Sequence, residues 1–185
     1  MSRIGRMPIE IPANVKIDVN GDKIVVSGPL GTLEQTIDKT ITATMGEHNG
    51  KAALILTRDN DEKEIRAKHG MYRALVHNMV VGATTGYSKS LVINGVGYKV
   101  AVSGNKLTLN IGFSHPIEFT APEGIKIECP SITEVKVSGN NKEIVGQVAA
   151  DIRALKPVEP YHAYGIHYAD EVVIRKEGKK ASKKK

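Results

Sequence analysis

The chain writes one pattern twice in the same order, and that leaves few ways to fold. Val15-Lys-Ile-Asp-Val19 alternates apolar and polar residues, as a half-buried strand does. Asn20-Gly21 is a hairpin turn signal and Lys23-Ile-Val-Val26 the returning strand. Ser27-Gly-Pro-Leu-Gly31 marks the next turn. Further on, Lys99-Val-Ala-Val102, Ser103-Gly104 and Lys106-Leu-Thr-Leu109 repeat strand, turn and strand. Lys16, Val19, Gly21 and Lys23 match Lys99, Val102, Gly104 and Lys106 at a constant offset of 83. One inserted residue later, Glu34 and Thr36 match Glu118 and Thr120.

The helices repeat as well. Asp61 stands three residues before Glu64, and Asn140 three before Glu143, each with the spacing of a capping box. Lys63-Glu64-Ile65 matches Lys142-Glu143-Ile144, and Arg73-Ala74-Leu75 matches Arg153-Ala154-Leu155. Met71, Tyr72, Leu75, Val76, Met79 and Val80 form one apolar stripe; Val145, Val148, Ala149, Ile152 and Leu155 form the other. Pro157 stops the second helix. Short antiparallel strands followed by one amphipathic helix make an α+β unit, a small sheet packed against a helix. Duplication of that unit predicts two tandem domains. The first is 1–82, opening on an extended arm that holds Pro8 and Pro12. The second is 83–174, and 175–185 is a basic tail.

Charge is concentrated in that tail. Residues 175–185 carry seven basic side chains and one acid, Glu177, for a net +6, while residues 1–174 hold 19 basic and 19 acidic side chains and sum to zero. Three of the six tyrosines, Tyr161, Tyr164 and Tyr168, lie just before it. Tyrosines beside a basic run suit bases that stack and phosphates that pair. A solvated tail that only aids solubility is the plain alternative.

Other classes find little support. The single cysteine, Cys129, cannot form an internal disulfide, which fits a reducing compartment, and with no positive neighbour it reads as a packed or idle thiol. No apolar run approaches the ~20 residues of a membrane span, and the opening residues lack a signal-peptide core. The expectation is a soluble cytoplasmic protein without a membrane partner. His69 and His77 share a helix with no acid to join them; His162 and His167 flank the tyrosines with no cysteine nearby. Each histidine is expected to be a surface or RNA-facing group, and neither a metal nor a cofactor is expected. Gly95-Val-Gly97 lacks the third glycine of a dinucleotide fingerprint, and no Walker lysine follows a glycine-rich turn. No catalytic constellation is legible, so the chain is not expected to be an enzyme. A hydrolase would need a site assembled from residues far apart in sequence. Two glycine loops remain, Asn94-Gly-Val-Gly-Tyr98 and Ile111-Gly-Phe-Ser-His-Pro116, where glycine permits close approach or simply shapes a hairpin.

Several stretches together resemble the bacterial large-subunit ribosomal protein six family, over essentially the whole chain. They are Ser2-Arg-Ile-Gly-Arg-Met-Pro-Ile, Asn94–Tyr98, Gly112–Pro116, Val145-Gly-Gln-Val-Ala-Ala-Asp-Ile-Arg153 and, most specifically, Pro157-Val-Glu-Pro-Tyr161 with Gly165-Ile166, Tyr168, Glu171, Arg175-Lys176 and Gly178-Lys179. The resemblance departs from the family's lysines and glycine at His162, Ala163 and Tyr164, and from its arginines at His167 and Ile174. It implies two tandem α+β domains in the large ribosomal subunit. It also implies binding to the 3′-terminal domain of large-subunit rRNA, mainly through the second domain, near the sarcin–ricin loop. Expected partners are that rRNA, neighbouring large-subunit proteins and the translational GTPases that dock nearby. On this reading the RNA contacts are Gly97, Tyr98, Ser114, His115, Pro116, Arg153, Lys156, Tyr161, Gly165, Tyr168, Arg175, Lys176, Lys179 and Lys180. A free-standing basic RNA-binding protein is the alternative.

Overall fold

Alternating burial along strands such as Lys23–Gly28 and Lys106–Asn110 sets the architecture. The computed structural model describes residues 4–179; the expectations for Ser2, Arg3, Lys180 and the rest of the tail lie outside the described residues. The chain divides into two compact units. One runs to Tyr87 and includes Asn140–Lys142; the other comprises Ser88–Gly139 and the chain from Glu143 onward.

The first unit contains β1 (Ile9–Glu10), β2 (Lys16–Asn20), β3 (Lys23–Gly28), β4 (Gly31–Thr36), β5 (Ile41–His48), β6 (Lys51–Arg58) and α1 (Lys63–Thr84). These strands make two three-stranded sheets, ordered β1-β6-β5 and β2-β3-β4. Ile24 and Val26 of β3 and Leu54 and Leu56 of β6 point to the same core, where α1 covers strands of both sheets with Ile65, Val76, Met79, Val80 and Ala83. Each such aliphatic residue contributes about 1.5–3 kcal/mol when fully buried. Met71, expected on the apolar stripe, is exposed instead, because the buried face follows Ile65, His69, Tyr72, Val76 and Val80 at helical spacing.

Two local expectations change. The capping box over Asp61–Glu64 does not form: Glu62 occupies the cap position without a side-chain hydrogen bond, and Arg58 takes the Asp61 carboxylate, donating from Nε at 2.8 Å. The amide of Glu62 is satisfied by Asn60 Oδ1 at 3.1 Å. His69, expected at the surface, is buried. Arg58 Nη1 lies 3.2 Å from its Nδ1, so Nδ1 accepts and Nε2 donates to the Leu56 carbonyl at 2.9 Å.

The second unit repeats this plan and adds to it. It begins within β7 (Tyr87–Asn94) and continues through β8 (Lys99–Ser103), β9 (Lys106–Asn110), β10 (Ile117–Thr120), β11 (Ile125–Ser131), β12 (Glu134–Gly139), α2 (Lys142–Ala154) and β13 (Gly165–Tyr168). The sheet β10-β9-β8 is the counterpart of β2-β3-β4, and the run β11-β12-β7 is the counterpart of β5-β6-β1. Even an ion pair recurs: Lys23 meets Glu34 at 2.6 Å and Lys106 meets Glu118 at 3.2 Å. The α+β reading with duplicated domains therefore holds, with two small sheets in each unit. What the second unit adds is β13, an extra antiparallel strand outside β7, pairing Gly165 with Asn94 and Tyr168 with Leu91. On α2 the expected stripe buries Val145, Val148, Ala149 and Ile152, and Leu155 lies just past the helix, half-buried.

Candidate nucleic-acid interface

The added strand organises the sites expected from sequence. At its start, the side chain of Asn94 donates from Nδ2 to the Ala163 carbonyl at 3.1 Å, tying the first glycine loop to the turn before β13. Tyr98 then joins the two glycine loops. A Cβ on Gly95 would stand 2.4 Å from its ring, and one on Gly112 would stand 3.0 Å from it. Gly95 is therefore required by the close approach of the ring, and Gly112, at φ 78°, sits tight against its other edge. Tyr98 is half-buried, a strut between loops. Lys156 follows α2 and places Nζ 4.5 Å from the centre of the Phe113 ring, a cation–π contact that reaches the second loop. Asn94–Tyr98, Ile111–Pro116 and the 156–165 segment thus gather at one end of the unit.

Much of that end faces outward. Gly97, Ser114, His115 and Pro116 are exposed, and Val96 is 85% exposed. Tyr161 is 51% exposed and Tyr164 37%. Apolar and aromatic side chains are thus held outward on the glycine loops and the turn before β13. Sequence reasoning did not single out Val96 and Phe113, which are 85% and 47% exposed. The available signal was a large apolar residue inside a glycine-rich turn, where no core awaits it.

Gly165 is structural. Its φ is 139°, and a Cβ would meet Pro157 O and Val158 Cα at 2.7 Å. The Ile166 amide donates to Lys156 O at 2.8 Å, which closes the loop around it.

Arg153 and Tyr168 gather at the far end of β13, about 10 Å on by strand rise. Arg153 pairs with Glu171, and its guanidinium carbon lies 5.6 Å from the Tyr168 ring centre, with Lys89 Nζ at 5.4 Å from the same ring. The Arg153 guanidinium holds the Glu171 carboxyl below its usual range, and the pairing raises Arg153 in turn. Arg153 is therefore engaged with Glu171 and Tyr168 while its side chain stays partly exposed to solvent. Arg175, Lys176 and Lys179 are exposed, and the Lys176 amide donates to Pro160 O at 2.8 Å, laying the chain after β13 beside the tyrosine turn.

Burial raises the Cys129 thiol. Among the described residues no three His, Cys, Asp or Glu side chains gather to hold a metal ion, and no helix is long and apolar enough to cross a membrane.

The family model described as ribosomal protein L6 matches this chain twice, over residues 11–86 and 94–169. The chain belongs to the ribosomal protein L6 family. The two matches start 83 residues apart and end 83 apart (94 − 11 and 169 − 86), the same offset that separates the repeated hairpins. Individual members align end to end. The chain is 46% identical over 183 residues to the large ribosomal subunit protein uL6 of Chloroherpeton thalassium, covering 99% of this chain and 100% of that protein. It is 50% identical over 183 residues to that of Chlorobium chlorochromatii, with the same coverage. Against that of Carboxydothermus hydrogenoformans it is 46% identical over 185 residues, covering both chains completely. In ribosomal protein L6 terms, β13 and its preceding turn lie within the second matched repeat.

Proposed function

We infer that the chain is a structural, non-enzymatic constituent of the large ribosomal subunit that binds large-subunit rRNA mainly through its second unit. The observation that carries this reading is the convergence of both glycine loops on Tyr98, beside Lys156 and the exposed tyrosine turn. Full-length likeness to large-subunit proteins supports it. The mechanism is positioning. Exposed Arg175, Lys176, Lys179 and the lysines beyond neutralise phosphates, while Gly97, Ser114, His115, Pro116 and Tyr161 approach RNA closely and hold its segments in register. The target is the 3′-terminal domain of that rRNA, near the sarcin–ricin loop, with neighbouring ribosomal proteins and docking translational GTPases close by. The setting is the cytoplasmic ribosome.

A salt titration tests the division of labour, using a large-subunit rRNA fragment and a scrambled RNA. Deleting residues 178–185 removes five lysines. It should flatten the salt slope by up to about four units for both RNAs, at roughly 0.7–0.9 per neutralised phosphate. Gly97→Glu or Tyr161→Ala should weaken binding to the rRNA fragment by roughly 1–3 kcal/mol and leave the slope nearly intact. If the deletion abolishes discrimination and the point changes do nothing, the chain is a free-standing basic RNA binder.

A further inference from the structure

The turn before β13 holds a conformation that its sequence does not favour. Ala163 has φ 61° and is only 3% exposed. Positive φ is unfavourable for any residue with a Cβ, and it persists where surroundings over-determine it. Here they do. The Ala163 amide donates to Glu159 O at 3.1 Å, the Glu159 amide donates to Tyr164 O at 2.9 Å, and the Ala163 carbonyl accepts from Asn94. The consequence is visible in the two flanking side chains. His162 and Tyr164 lie face to face, with ring centroids 5.4 Å apart and planes 19° from parallel. Glu159 fixes the imidazole, both carboxylate oxygens lying 3.3 Å from His162 Nδ1. Aromatic pairs of this kind ordinarily bury their area. These two rings remain exposed. Alongside, the Lys176 amide is bound to Pro160 O, which keeps the exposed Arg175 and Lys176 next to the same turn.

We propose that His162 and Tyr164 form a platform for one unpaired nucleobase, which stacks on the ring pair while Arg175 and Lys176 take the neighbouring phosphates. The proposal rests on the RNA-binding reading above and names its ligand class. A strained, anchored turn that displays a preformed stack beside two cations matches a splayed base with its backbone. A paired duplex, whose bases are already stacked on one another, offers it nothing.

The test uses the full-length chain with two probes, a large-subunit rRNA transcript and a fully paired RNA duplex without loops. Tyr164→Ala should weaken transcript binding roughly 5- to 150-fold, the scale of one lost base stack. Tyr164→Phe should stay within about twofold, and the salt slope should not change for either. Duplex affinity should be the same for all three proteins. His162→Ala gives a third variant, expected to weaken transcript binding as Tyr164→Ala does, and thermal unfolding of each checks that the fold is kept. Tyr164→Phe as weak as Tyr164→Ala would assign the effect to the hydroxyl and overturn the proposal. Unchanged transcript affinity in Tyr164→Ala overturns it too. If that variant then enters large subunits poorly, the rings seat on a protein. A wild-type chain that binds neither transcript nor duplex would instead defeat the RNA-binding reading itself.

Discussion

Arg153 grips Glu171 with two hydrogen bonds, Nε to Oε2 at 3.0 Å and Nη2 to Oε1 at 2.6 Å. The Tyr168 amide also donates to Oε2, at 3.2 Å. The pair ties the last turn of α2 to the segment that follows β13, so the added strand is fastened at its exit. Glu171 titrates below its usual range in the folded chain, chiefly through Arg153. A depressed carboxyl stabilises the fold above its unfolded pKa, and that contribution is lost as pH falls through the folded value. Arg153→Ala should cost about 1 kcal/mol at pH 7, a modest figure because the guanidinium is partly solvated. Thermal unfolding should show a drop of about 2–4 °C. The gap between wild type and Glu171→Gln should narrow at pH 3; an equal gap at both pH values would contradict the account.

Asp38 makes a second acid-sensitive contact, in the first unit. Lys68 Nζ donates to it at 2.7 Å, and the Thr40 amide and hydroxyl donate at 3.1 and 2.9 Å. Its carboxyl is lowered from 3.8 to about 2, first by Lys68 and then by Thr40. The stabilisation is therefore complete above pH 4 and disappears between about pH 4 and 2. Asp38→Asn should flatten the acid limb of unfolding in that window and leave the curve above pH 5 parallel to wild type. Acid titration followed by circular dichroism measures it, and an unchanged acid limb would count against the assignment.

Gly165 and Gly97 should respond differently to one added methyl. At Gly165 the new Cβ would press on backbone at 2.7 Å; at Gly97, with φ 76°, nothing lies within 4 Å. Gly165→Ala should cost more than about 2 kcal/mol, since backbone must move. Gly97→Ala should cost about 1–2 kcal/mol, from positive φ alone. Urea unfolding distinguishes them, and the reverse order would show that the loop around Gly165 relaxes freely.

The duplication was legible because period-2 strands recur 83 residues apart and a 3.6-period helix follows each set in the same order, 79 to 80 residues apart, and the fold repeats two sheets and a helix in that order. The strands β5 and β6 were not read, although Asn49-Gly50 between them is a hairpin signal and both residues take positive φ, 53° and 73°. β13 escaped because four residues are too few for a period, and its pairing with β7 joins residues 71 to 77 apart (165 − 94 and 168 − 91), a long-range contact that sequence pattern does not encode. His69 was misread because a polar residue on a helix looks solvated until Arg58 and the Leu56 carbonyl are found to satisfy both ring nitrogens. The glycine loops were recognised as loops. Their meeting on Tyr98 needed three dimensions.

Cys129 should be slow toward thiol reagents. Burial raises its thiol, so little thiolate exists near neutrality. A reagent that labels it within seconds at pH 7 in the native chain, before unfolding, would contradict this.

The central claim is residence in the large ribosomal subunit through RNA contact. Sedimentation of a cell lysate on a sucrose gradient, with the chain followed by immunoblot, tests it most directly. The account predicts that the chain travels with large subunits and assembled ribosomes, and that Gly97→Glu moves part of it to the top of the gradient. A wild-type chain found wholly in the soluble fraction at low salt, with subunits intact, would contradict it.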